Sequence, residues 1–134
     1  MASCGMLDLE PIGVVRSSLR ERKNAPRSPA DGAPAAVLEI EERFAAALKG
    51  VSPGMELIVI TWLHEAVRDV LQVHPGRDRA RPLTGVFATR SPDRPNPIGL
   101  HRVSVTALGP AAGVHVAALD AIDGTPILDL KIAR

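Results

Sequence analysis

The chain has 134 residues, of which 46% are hydrophobic and 23% charged, and a domain of that size buries about 68% of its unfolded surface without help from a metal or a disulfide. Its formal net charge of +1 is too small to imply an anionic partner by itself. Phe44, Trp62 and Phe87 are the whole aromatic set, with no tyrosine; if the core needs these rings, none is left for a surface that stacks successive bases.

From the start, Met1 to Leu7 offers neither a basic leader region nor a long apolar core, and no apolar run approaches the ~20 residues that span a bilayer. The expectation is a cytoplasmic, reduced setting in which the single cysteine, Cys4, is an incidental thiol at a frayed terminus. Residues 12–17 form the first strand candidate. Residues 24–34, with three prolines, read as a long exposed loop. A strand is expected over 36–40. Acids in its first turn, Phe44, Ala45 and Leu48 at helical spacing, and Gly50 as a stop predict one short helix over 41–49. Residues 56–63 contain the continuous run Leu57-Ile58-Val59-Ile60, which suits a strand buried on both faces. Residues 83–89 are the next strand candidate. Alternating apolar positions at Val103, Val105 and Ala107 and at Val114, Val116 and Ala118, joined through Gly109-Pro110 and Gly113, predict a hairpin, and 127–132 a last strand. Many short strands without alternating long helices predict a mainly β fold: one small antiparallel β-barrel domain over residues 1–134 with one short helix.

Charge is clustered. Residues 16–27 carry Arg16, Arg20, Arg22, Lys23 and Arg27 against Glu21, and 77–102 carry Arg77, Arg79, Arg81, Arg90, Arg94 and Arg102 against Asp78 and Asp93. If the two stretches meet in space they form a basic face; as solvated loops that never meet they carry no function. Within the second, Pro92, Pro95 and Pro97 forbid a helix and exclude the middle of a sheet. Such a loop either turns a rigid corner or holds Arg90, Arg94 and the Asn96 amide preorganised for a ligand. Asp123-Gly124-Thr125-Pro126 is turn chemistry, explained by a tight connection or by a cradle for a polar ligand. His64 and Glu65 end the strand at 56–63. His64, His74, His101 and His115 show no close paired spacing, so no metal site is expected.

Gly85 to Leu100 reads Gly-Val-Phe-Ala-Thr-Arg-Ser-Pro-Asp-Arg-Pro-Asn-Pro-Ile-Gly-Leu, followed by Leu119-Asp120 and by Asp123 to Lys131, Asp-Gly-Thr-Pro-Ile-Leu-Asp-Leu-Lys. Together with Ile12 to Ser17 and the strand ending at His64, these segments closely resemble the TsaA-like family, which includes the TrmO tRNA methyltransferases. The resemblance implies a small β-barrel that binds S-adenosylmethionine, with the cofactor lodged between the subunits of a homodimer. TrmO members methylate the exocyclic amine of threonylcarbamoyl-adenosine beside the anticodon, which would make tRNA the substrate. Carried over by position, the cofactor contacts fall on Pro26, Arg27 and Ser28, on His64 and Glu65, on Arg90, on Leu100, and on Asp123, Gly124, Thr125 and Pro126. In that set Leu100 suits the adenine, Arg90 the carboxylate, and Glu65 or Asp123 the cationic groups.

An adenine amine is a poor nucleophile, and an amide oxygen accepting its hydrogen would help. Asn96, between its prolines, is the catalytic candidate; the alternative is that it bonds its own loop. Ser28 stands where the family carries glutamine, and the strand before His64 is less aromatic than is usual there. Two readings follow: a methyltransferase acting on tRNA, or a module that binds S-adenosylmethionine without turning it over.

Overall fold

The computed structural model of the chain describes residues 5–26 and 28–134; Cys4 and Arg27 lie outside the described residues. Chain order runs β1 (Gly13–Ser17), β2 (Ala36–Ile40), β3 (Glu56–Trp62), β4 (Gln72–Val73), β5 (Thr84–Gly85), β6 (Ile98–Leu108), β7 (Gly113–Val116) and β8 (Pro126–Ile132). Among the described residues, six of these close an antiparallel barrel in the order β1-β2-β7-β6-β3-β8, while β4 and β5 pair in a separate ribbon. Closure leaves no free edge on the main sheet.

The interior is aliphatic. Val15, Leu38, Val59, Val103, Val105, Val114, Val116 and Ile127 point inward and are buried; β1, β2, β3 and β6 up to Val105 alternate between inside and outside as the pleat requires. No ring belongs to this buried cluster: Phe44 packs against it while only partly buried, and Phe87 is 83% exposed. The expectation that the rings would serve the core therefore fails for Phe87, because branched aliphatic side chains already fill a barrel this narrow. Residues Glu42–Leu48 form the expected helical segment, wound as 3₁₀; it follows β2 and sets Phe44 and Leu48 against one end of the barrel.

Two strand expectations need correction. In β3, Leu57, Val59 and Thr61 are buried whereas Ile58 and Ile60 are only half-buried. A barrel has a single inside, so the continuous apolar run does not mark two buried faces. Of residues 83–89, only Thr84 and Gly85 pair as strand; Val86–Ala88 turn as 3₁₀. Thr89 closes that turn, its amide and its hydroxyl both donating to Val86 O at 3.0 and 2.9 Å, a local bond that competes with the ladder.

The β6–β7 hairpin forms as expected but on unsuitable residues. Ala111 (φ 56°) and Ala112 (φ 59°) both occupy the left-handed region, with Gly113 N–H donating to Pro110 O at 3.2 Å. Such turns favour Asn-Gly, and each alanine there is strained. Ala111 is exposed, so A111N is expected to raise stability by about 0.5–1 kcal/mol, read as a higher urea midpoint with unchanged slope.

Candidate functional site

A cleft of about 1230 Å³ opens at the barrel end opposite the helical segment. Its floor is the start of β6 and the connection from Asp120 to Thr125; its walls are the 88–96 loop, the stretch around Pro26 and Ser28, the His64–Glu65 turn and the arm carrying β4 and β5.

The two basic stretches do meet here. Arg22 Nη2 lies 2.5 Å from Asp93 Oδ1, and Arg22 Nη1 donates to Glu65 O at 3.3 Å. The same Asp93 oxygen accepts from Val67 N–H at 2.8 Å. Arg68 donates to Pro95 O at 2.7 Å and to Asn96 Oδ1 at 3.0 Å, with its guanidinium 5.0 Å from the Trp62 ring. Leu63 N–H to Pro97 O adds a bond of 2.8 Å. The proline-stiffened loop is thus fastened along the chain that leaves β3, and its remaining freedom is small. Arg94 Nη1 bonds Thr89 O and Ser91 O inside the loop, both at 3.1 Å. Arg102, on the outer face of β6, pairs with Glu56 at 2.8 Å and holds that exposed carboxyl below its usual range. Among the described residues, Arg77, Arg81 and Arg90 line the cleft with guanidinium groups that make no ion pair or hydrogen bond within the chain.

Pro26, Ser28, His64, Glu65, Arg90, Leu100 and Thr125, and the catalytic candidate Asn96, all lie on the wall of the cleft; Arg27 is not described. Asp123, Gly124 and Pro126 are not on its wall. Asp123 Oδ1 accepts from Ser17 N–H at 2.9 Å, its Oδ2 lies 3.8 Å from Arg20, and Gly124 N–H bonds Val15 O at 2.8 Å. This turn stitches β1 to the start of β8, and Asp123 serves that junction. The Asn96 amide oxygen nominated to accept a substrate hydrogen already accepts one from Arg68, so in this structure it bonds outside its own loop.

Sequence reasoning missed the polar group in the floor. His101 Nδ1 lies 2.6 Å from Asp120 Oδ1, and His101 Nε2 lies 2.7 Å from Thr61 Oγ1. The hydroxyl is fully buried, and the His101 and Asp120 side chains are 6% and 12% exposed. One neutral tautomer satisfies all three groups: Nδ1–H donates to the carboxylate and Nε2 accepts from the hydroxyl. Gly99 makes room for it, since a Cβ there would come within 2.5 Å of Thr61 Oγ1 and 2.7 Å of His101 Nε2. Nineteen and forty residues separate the partners, and no sequence pattern joins them.

Comparison with known proteins agrees with this geometry. A protein of Rhizobium radiobacter named as a probable S-adenosyl-L-methionine-binding protein VirR is 39% identical over 92% of this chain and 69% of its own length. An S-adenosyl-L-methionine-binding protein of Archaeoglobus fulgidus is 39% identical over 92% of this chain and 86% of its own. The crystal structure of TrmO from Pseudomonas aeruginosa superposes with a TM-score of 0.72 at 29% identity, covering 96% of this chain. This chain spans about half of that one, 56%. Residues 14–132 match the family model of the tRNA-methyltransferase O N-terminal domain, and the chain belongs to that family.

Proposed function

We propose that the cleft binds S-adenosylmethionine and that the chain is a methyltransferase whose acceptor is the exocyclic amine of threonylcarbamoyl-adenosine beside the anticodon of tRNA. The observation that carries this reading is convergence: of the residues that the family resemblance assigns to cofactor binding, Pro26, Ser28, His64, Glu65, Arg90, Leu100 and Thr125 come together on one cavity. Its 1230 Å³ exceeds the roughly 300–1,000 Å³ typical of a small-ligand site, which leaves space for part of a second reactant.

S-adenosylmethionine supplies an activated methyl group; the chain's contribution is placement. Arg90 is free to clamp a carboxylate, Glu65 faces an ammonium, and Leu100 offers an apolar wall to the adenine. The unpaired Arg77 and Arg81 suit phosphates of the RNA, so tRNA affinity falls with added salt. Leu71, Leu83 and Phe87, on and beside the β4–β5 ribbon, and Ile98 and Leu100 are exposed; a second copy of the chain covering them accounts for so much apolar surface near the cleft.

Mass spectrometry of tRNA nucleosides from cells with and without the protein tests the activity. Loss of the N6-methylated threonylcarbamoyl-adenosine supports it; an unchanged nucleoside profile beside tight S-adenosylmethionine binding assigns the chain as a binding module instead. Asn96 retains one lone pair on its amide oxygen beyond the bond from Arg68. N96A is therefore expected to lower kcat by about 10²-fold with cofactor affinity unchanged, and full activity of the variant on tRNA removes Asn96 from the mechanism.

A further inference from the structure

Asp120 meets the cleft with one oxygen held and one open. Oδ1 is locked by His101, itself locked by Thr61. Among the described residues Oδ2 makes no hydrogen bond or ion pair, and no buried side-chain polar atom lacks a partner. Oδ2 therefore reaches solvent, and Asp120 lines the cleft. Around it the floor is apolar, with Ala121 and Ile122 buried and Leu100 alongside. The nearby hydroxyls are engaged, Thr61 with His101 and Thr125 with Ile122 O at 2.6 Å. The floor thus presents a fixed negative charge whose outer oxygen is unengaged among the described residues.

That arrangement discriminates between cations. An ammonium brings three donors and is costly to desolvate unless each is met. A sulfonium brings charge and no donors, so one carboxylate oxygen in an apolar floor is enough. Glu65 lies at the outer rim, its side chain 52% exposed and 3.8 Å from His64, where water completes the bonds of an ammonium.

We propose that Asp120 Oδ2 is the anionic contact for the sulfonium of the bound cofactor, aimed by the Thr61–His101 pair, and that it makes the cleft prefer the methylated cofactor over its neutral product. The inference rests on the reading that the cleft binds S-adenosylmethionine. In the transfer, the acceptor nitrogen's lone pair forms the new N–C bond, the S–C pair stays on sulfur, and the amine proton leaves to solvent. The sulfonium becomes an uncharged thioether, its attraction to Asp120 disappears, and the product loosens.

Calorimetric titration of the purified chain with S-adenosylmethionine and with S-adenosylhomocysteine tests the assignment. D120N keeps an oxygen for His101 and removes the charge; it is expected to weaken S-adenosylmethionine roughly tenfold and leave S-adenosylhomocysteine unchanged. E65Q is expected to weaken both equally, because both carry the ammonium. Equal weakening of the two ligands by D120N, or no weakening, overturns the assignment. Should D120N fail to fold, the wild-type chain decides: at least about tenfold tighter binding of the sulfonium supports it, and equal affinities overturn it. A wild-type chain that binds neither ligand overturns the proposed function and this inference together.

Discussion

Replacing His101 with alanine is expected to cost about 3 kcal/mol of folding stability, a drop of roughly 10 °C in Tm for a domain of this size. The imidazole is the middle member of a buried chain of three polar groups, and its loss leaves the fully buried Thr61 hydroxyl without an acceptor, together with a cavity at the barrel end. Unmet polar groups, more than lost hydrogen bonds, set the size of the effect. H101L fills the space and T61V in that background removes the orphaned hydroxyl, so the double variant should be more stable than H101L alone. Urea denaturation of the variants checks this. A loss below about 1 kcal/mol for H101A would mean that the three groups do not act as one network.

Arg90 to alanine should weaken S-adenosylmethionine binding by about 10- to 100-fold while leaving stability unchanged, since a hydrogen bond to a charged group is worth about 1.5–3 kcal/mol. Among the described residues Arg90 makes no ion pair or hydrogen bond, so no contact there depends on its side chain. R90K should recover only part of the affinity, because an ammonium cannot grip a carboxylate with two parallel donors. R94A provides the contrast: Arg94 holds Thr89 O and Ser91 O, and its loss should lower stability and binding together. Calorimetry beside thermal melts separates the two, and an unchanged affinity of R90A removes the residue from the site.

Much of the barrel was legible in the chain. Alternation at Val103 and Val105 and at Val114 and Val116 became the buried faces of β6 and β7 because the pleat ties sequence parity to inside and outside, whereas Ala107, past a register shift, is exposed. Residues 36–40 matched β2 without adjustment. The failures are equally physical. The run from Leu57 to Ile60 looks the same whether one face or two are covered, and Phe87 is apolar wherever it sits; what covers a side chain is decided by distant segments. Residues 83–89 have strand composition, but the Thr89 hydroxyl offers Val86 O a nearer partner than any strand does.

The site divides in the same way. Asp120 and Asp123 lie three residues apart in one turn-forming stretch, and neither residue type nor spacing says which faces a ligand. Pairing with β1 decides it: Ser17 N–H, 106 positions away, takes the Asp123 carboxylate, while His101 takes one oxygen of Asp120 and leaves the other open. The two arginine-rich stretches likewise remain separate on paper until Asp93 joins Arg22 to the proline loop.

By itself the sequence determined a small antiparallel barrel, its family and the rigid loop around Asn96, because strand parity, proline geometry and a long motif are local properties. Only the tertiary structure decided which arginines stay free, which aspartate keeps an unengaged oxygen, and that a histidine with no spacing pattern is the centre of the floor. Those outcomes depend on which groups meet across the barrel, and hydrogen-bond partners between distant strands are chosen by the fold as a whole.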